Sequence, residues 1–293
     1  MSETKTNLRQ ANAKVKVAGI VSSKELKIEE KEGQKVITGS VSIEVDETNI
    51  VRFFVKADEK KKDGSGDNVA YKGLVTVMNE FKTIADNGRE AADRVYVNGD
   101  LNLFTGQNGK ENIGQRASFF NRAKKLDSFE PEATYDVEVF IKAIVPEMNT
   151  EGEETGRVLV KGWVPTYNGI EPITLIADKD LADGVQEFSP NQTVRFFGDI
   201  INSRVEVKKE IPMKLGKPRI ETQVSYKNEL LITGASDAYE EGVSKEKPYE
   251  KATIDLAINE REAKLKDKER QSKGSENPFN QNRPSGGGRQ LNF

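Results

Sequence analysis

Across 293 residues the chain carries 45 Lys and Arg against 48 Asp and Glu, a formal charge of −3, and it has neither cysteine nor histidine. That composition excludes disulfides, thiolate nucleophiles, histidine-dependent triads, Cys/His zinc sites and haem ligation through those residues. The length suits about two domains; with no apolar run near the ~18 residues of a membrane span and a start, Met1 to Lys16, too polar for a signal peptide, the expectation is a cytoplasmic protein of bacterial or phage type (the host cytoplasm, if phage-encoded) with no membrane partner.

Residues 1–12 read as a polar arm. Strand-like alternation follows near 14–28, 35–45 and 49–57. Lys60-Lys61-Lys62-Asp63-Gly64-Ser65-Gly66 has the composition of a loop. Leu74, Val77, Met78, Phe81, Ile84 and Ala85 then recur at helical spacing, with a C-cap signal at Asn87-Gly88. Two strands near 94–104 and 115–124 are joined by the Gly/Asn/Gln-rich loop 105–114.

The same order then returns, with strands near 135–145, 156–164 and 172–177, a short helix near 180–188, and strands near 193–203 and 221–233. A Lys/Pro-rich loop is expected over 207–219. Short stretches echo one another in order. Val55-Lys56-Ala57-Asp58 is matched by Leu175-Ile176-Ala177-Asp178, and Val97-Asn98-Gly99-Asp100-Leu101 by Phe196-Phe197-Gly198-Asp199-Ile200. A repeat of roughly 100–125 residues suits a tandem pair of small domains, placed at 13–130 and 131–236. Residues 237–271 are a charged extension with an exposed helix over 260–271, and 272–293 have the composition of a disordered tail.

Charge is unevenly shared, +2 over residues 1–130, −5 over 131–236 and zero over 237–293. Local potential governs binding more than the total does. Five strands with a helix between the third and fourth is the order of an OB-fold, a five-stranded partly open barrel. The fold class expected is therefore mainly β, two OB-like barrels in tandem; a barrel or sandwich of other topology is the alternative.

Alternate residues of a strand face opposite sides. Val51, Phe53, Val55 and Ala57 suit a barrel interior, which turns Arg52, Phe54 and Lys56 outward. Tyr96 and Phe104 point outward from the fourth strand, and Arg116, Phe120, Arg122 and Lys124 share a face on the fifth. In the second copy Arg157, Lys161 and Trp163 lie on one face, as do Arg195 and Phe197. Exposed rings beside exposed cations suit single-stranded nucleic acid, whose bases stack at about 1–3 kcal/mol each while Lys and Arg neutralise phosphates. The stacking candidates are Phe54, Tyr96, Phe120, Trp163 and Phe197. The phosphate candidates are Arg52, Lys56, Arg116, Arg122, Lys124, Arg157, Lys161 and Arg195, with Lys60, Lys61 and Lys62 on a loop able to close over the strand. The bland alternative is that these rings pack between domains, against the C-terminal helix or in a subunit interface. A slip of one residue would exchange the two faces of any strand.

On strand order, the Gly99-Asp100 and Gly198-Asp199 strand starts, the aromatic and basic faces and the tail, the chain resembles tandem OB-fold single-stranded DNA-binding proteins of bacteriophage and bacterial replication type. The resemblance implies single-stranded DNA as ligand, a role in replication or recombination, and partners among the proteins of those processes. Bacterial members end in an acidic tip closing with Phe. Here the end is Arg289-Gln290-Leu291-Asn292-Phe293, which keeps the Phe without the acid, so recruitment through such a tip is not implied. No phosphate-binding glycine loop is present. Asp178, Asp180 and Asp183 have an ordinary cause in the dipole at a helix start. With no nucleophile, base and orienting partner in view, the expectation is a non-enzymatic binder without cofactor or metal. The competing readings are a phage protein-interaction or structural module using the same rings as anchors, and a binder of single-stranded RNA.

Overall fold

The computed structural model describes residues 8–31, 33–61, 63–106, 109–125, 127–211 and 219–274. Alternation of buried and exposed side chains is cleanest in the third strand. In β3 (Ile50–Asp58), Val51, Phe53, Val55 and Ala57 are buried while Arg52, Phe54 and Lys56 are exposed. With β1 (Ala13–Lys31), β2 (Gln34–Glu44), β4 (Arg94–Thr105) and β5 (Glu111–Arg122) it makes a closed ring in the order β1-β2-β3-β5-β4. The ring shuts through a parallel contact in which Phe53 and Phe54 lie opposite Gln115 and Arg116.

The helical segment between β3 and β4 is two helices rather than one. α1 (Val69–Glu80) is capped by Asn68, whose side chain accepts from the Ala70 N–H, and it buries Tyr71, Leu74 and Val77. The chain then turns extended at Phe81, and the Thr83 side chain caps α2 (Ile84–Asn87) by accepting from the Asp86 N–H. The Lys24 ammonium donates to the Val77, Met78 and Phe81 carbonyls at 3.2, 2.7 and 2.7 Å, a charged donor for the carbonyls at the end of α1.

The second ring repeats the first. β6 (Glu132–Met148), β7 (Glu154–Thr166), β8 (Gly169–Ala177), β9 (Thr193–Ile211) and β10 (Arg219–Ala235) close in the order β6-β7-β8-β10-β9, with α3 (Lys179–Gln186) between β8 and β9. The parallel closing contact here is Leu231 with Ile176. β9 and β10 continue as paired strands to Ile211 and Arg219, so residues 207–211 and 219 of the expected loop belong to the ladder, and 212–218 lie outside the described residues.

The echoed glycines have a steric cause. A Cβ on Gly99 would stand 2.2 Å from the Arg116 carbonyl oxygen, and one on Gly198 only 1.8 Å from that of Leu231. Only glycine lets the neighbouring strand pass so closely.

The two barrels share one ten-stranded sheet because β1 pairs antiparallel with β6, from Ala13 opposite Val137 to Ala18 opposite Glu132. Val15 and Tyr135 lie opposite each other there, and each also pairs with the glycine of its own barrel, Gly99 and Gly198. The barrels are thus related by a pseudo-twofold axis through that pair. A second seam is the buried Asn49, whose amide donates to the Ile200 carbonyl at 2.9 Å and accepts from the Asn202 N–H at 2.9 Å.

Residues 8–12 are docked rather than a free arm. Ala11 is buried and donates its N–H to the Pro165 carbonyl. The buried Glu138 carboxylate accepts from the Arg9 guanidinium at 2.8 Å, the Asn12 N–H at 3.1 Å, and the Tyr239 and Tyr249 hydroxyls at 3.0 and 3.2 Å. Burial, then the Glu138 charge, pushes the Tyr239 phenol up to about 12. The C-terminal helix, α4 (Lys251–Gly274), starts well before the 260 expected, because Ile254 and Ala257 are buried. The tail from 275 onward lies outside the described residues. Among the described residues no helix is long and apolar enough to cross a membrane.

Candidate nucleic-acid interface

The outer face of β3 is the centre of the candidate site. Phe54 is 49% exposed. The Arg52 guanidinium lies 5.5 Å from its ring centroid, and donates to the Ser40 hydroxyl at 2.8 Å and to Glu25 at 3.0 Å. Arg116 sits opposite Phe54 on β5. Two grooves adjoin along this strand. One, of about 690 Å³, runs over Phe54, Arg52 and the Lys24–Lys27 stretch of β1. The other, of about 380 Å³, is lined by Lys56, Arg116, Asp100, Phe119 and the start of α1. Together their walls hold Lys24, Lys27, Arg52, Lys56 and Arg116 against Glu25 and Asp100. Asp100 is itself paired with Lys14 at 2.6 Å. Among the described residues Lys56 and Arg116 have no acidic partner.

β5 departs from the expected alternation. Phe119 lies opposite Asn98 while Ala117 lies opposite Gly99, so Ser118 is an extra residue in a β-bulge. Beyond it the faces exchange. Phe119, which unbroken alternation sets on the face opposite Phe120, is 52% exposed, and Phe120, expected on the outer face, packs edge-on against Phe53 at 6.1 Å between centroids. Phe119 therefore joins the candidate surface and Phe120 leaves it. Phe104 keeps its outward position, 44% exposed.

Several other candidates serve the fold. Arg122 lies 4.4 Å over the Phe81 ring, ion-paired with Asp93 at 3.2 Å, and donates to the Glu80 carbonyl. It ties β5 to the end of α1. Tyr96 is half-buried with its ring 5.3 Å from that of Phe129. Lys60 pairs with Asp67 at 2.6 Å, and Lys72 shares that carboxylate at 2.8 Å. The hydrogen bond from Lys60, then that from Lys72, holds the Asp67 carboxyl down to about 2. Lys61 and Lys124 are exposed. Lys62 lies outside the described residues.

In the second barrel the candidate cations are mostly neutralised. Arg157, with its side chain only 18% exposed, pairs with Glu229 at 2.8 Å, Asp178 at 3.1 Å and Glu147 at 3.5 Å. Arg195 is held in two parallel bonds by Asp136, which raises the guanidinium pKa against the opposing effect of burial. Phe197 is 44% exposed but leans on β10, where a Cβ on Gly234 would fall 2.3 Å from its ring. Trp163 is half-buried between the Lys142 ammonium at 5.6 Å and the Arg261 guanidinium of α4 at 5.5 Å. Arg261 is fixed in turn by Glu171 at 3.2 Å and by the Thr105 hydroxyl. The helix thus covers the ring that the strand pattern turned outward. Lys161 is exposed.

The structure therefore gathers Arg52, Phe54, Lys56 and Arg116 on one surface, adds Phe119, and disperses the remaining candidates. Among the described residues no group of acidic side chains is placed to hold a metal ion.

Residues 12–271 match the family YorF. No curated protein matches the sequence. In fold the chain is similar to two crystal structures of the single-stranded DNA binding protein from Thermus aquaticus. For the wild-type protein the identity is 9% and the TM-score 0.47, over 81% of this chain and 98% of that one. For a deletion mutant the values are 9% and 0.48, over 82% and 100%.

Proposed function

The chain belongs to the YorF family, and we propose that it binds single-stranded DNA with little sequence preference through the outer face of its first barrel. The observation that carries this reading is the coincidence, on one face, of two half-exposed rings, Phe54 and Phe119, with the cations Arg52, Lys56 and Arg116. OB barrels bind oligonucleotides on the face of their second and third strands, which is where Phe54 and Arg52 stand.

Bases stack on the rings, and the cations neutralise the phosphates between them. An unpaired strand offers base faces to the rings, whereas a duplex hides them in its own stack. Every base has such a face, so stacking tolerates any sequence. The task this chemistry suits is covering exposed strands without acting on them, in phage DNA replication or recombination, the setting implied by the resemblance in strand order and tail layout. Proteins of those processes are the partners that fit.

The test is a titration of the full chain with labelled oligo-dT, a duplex and an RNA of equal length, followed by anisotropy across a salt series. Oligo-dT is expected to bind far more tightly than duplex, with log affinity falling by about 0.7 per log unit of salt for each phosphate engaged. No change with any ligand at micromolar protein would overturn the reading and turn the same rings into anchors for a protein partner. RNA bound as tightly as DNA would replace DNA with single-stranded nucleic acid of either sugar.

A further inference from the structure

A second patch of the same chemistry lies where the barrels meet. A cleft of about 280 Å³ opens between the end of β4, the turn joining β7 to β8, and the second half of α4. Asn102 and Phe104 enter it from β4, Asn168 from the turn, and Lys264 and Lys268 from α4. Phe104 is 44% exposed, and Tyr167, at the tip of the turn beside Asn168, is 88% exposed. A ring that bare contributes little to packing among the described residues.

Lys264 and Lys268 stand one helical turn apart, on the same side of α4. Both are exposed, and among the described residues neither has an acidic partner. The carboxylates of the cleft are Glu171, neutralised by Arg261, and Glu260. Because Arg261 bonds to Thr105 of the first barrel and Glu171 of the second, α4 holds its two lysines over the cleft at a fixed place. The cleft is also continuous with the first-barrel face. Gly114 lies 3.8 Å, measured from an added Cβ, from the Phe54 ring, and it pairs with Asn102 on β4, two residues from Phe104.

We infer that this cleft is a second subsite for the same single strand. Phe104 and Tyr167 take bases, Lys264 and Lys268 take phosphates, and the strand leaving Phe54 crosses Asn102 to reach them. The inference rests on the single-strand reading of the first barrel.

The experiment compares the full chain with a variant carrying Phe104→Ala, Tyr167→Ala, Lys264→Gln and Lys268→Gln. Oligo-dT of about 8 and about 25 nucleotides is used, one short enough for a single OB face and one long enough to pass beyond it. The short oligonucleotide is expected to bind both proteins within about twofold, while the long one binds the variant at least about tenfold more weakly. A second variant, Lys264→Gln with Lys268→Gln alone, keeps both rings and is expected to lower the salt slope for the long oligonucleotide by about 1.4. Unchanged affinity and slope for the long oligonucleotide, with the wild type binding both lengths, would overturn the cleft and leave the first-barrel reading standing. A wild type that binds neither length would overturn the first-barrel reading, and this inference with it.

Discussion

The two barrels share strand order, closing contact and glycine placement, but they use their outward cations differently. In the first, Lys56 and Arg116 stand, among the described residues, without acidic partners beside Phe54 and Phe119. In the second, Arg157 and Arg195 are locked to carboxylates, and β8, the strand in the place of β3, turns Pro172 and Thr174 outward where β3 has Arg52, Phe54 and Lys56. The fold depends on the inward residues and on Gly99 and Gly198. Outward positions are left free of that constraint, so one copy can carry ligand chemistry while the other carries ion pairs that hold the structure together.

The sharpest way to break this contrast is to remove the rings. Phe54→Ala with Phe119→Ala, each ring being worth about 1–3 kcal/mol, is expected to weaken oligo-dT binding on the order of a hundredfold or more. Phe197→Ala in the second barrel should change it by less than about threefold, measured by anisotropy under the same conditions. Equal losses would erase the distinction. Next in size is a change of property rather than of affinity. Arg157→Ala leaves Glu147 without its cation and Glu229 with Lys227 alone in a largely buried setting, and is expected to cost about 2–3 kcal/mol in denaturant unfolding with oligo-dT affinity intact. Arg116→Ala should do the reverse, lowering the salt slope by about 0.7 and leaving stability unchanged.

A smaller effect follows from acidity. Burial would raise the Glu229 carboxyl, but hydrogen bonds from Arg157 and Lys227 bring it below its ordinary 4.5. A depressed carboxyl stabilises fully above its ordinary value and loses that contribution as pH falls through the folded one. Between pH 7 and pH 3 the thermal midpoint of the wild type should therefore fall further than that of Glu229→Gln. The smallest effect is expected at Lys60. With its charge engaged by Asp67, Lys60→Gln should alter oligo-dT affinity by less than about twofold, and Lys56→Gln by more.

Much of this was legible in the residues. The alternation in β3 placed Arg52, Phe54 and Lys56 outward without help from any neighbour. The reversal on β5 was not legible, because the point at which an extra residue enters depends on the pairing of Ala117 and Phe119 with β4, and nothing local marks Ser118. The partial covering of Trp163 rests on Arg261, roughly 100 residues further along the chain, and the neutralisation of Arg157 rests on Glu229. Local pattern reports which way a side chain points; it does not report what the rest of the chain lays over it. The cleft of Phe104, Lys264 and Lys268, with Tyr167 on the adjoining turn, is of the same kind, assembled from three segments that no spacing rule connects.

The pairing of β1 with β6 through Val15 and Tyr135 has one more consequence. Two separate copies joined by this twofold would form a homodimer, in which every substitution appears on both faces at once. Neither copy could then surrender its ligand contacts without the other doing so. Dilution would also part them, whereas a shared peptide chain keeps the second barrel at high effective concentration beside the first. Fusion in one chain is what makes specialisation of the halves physically available.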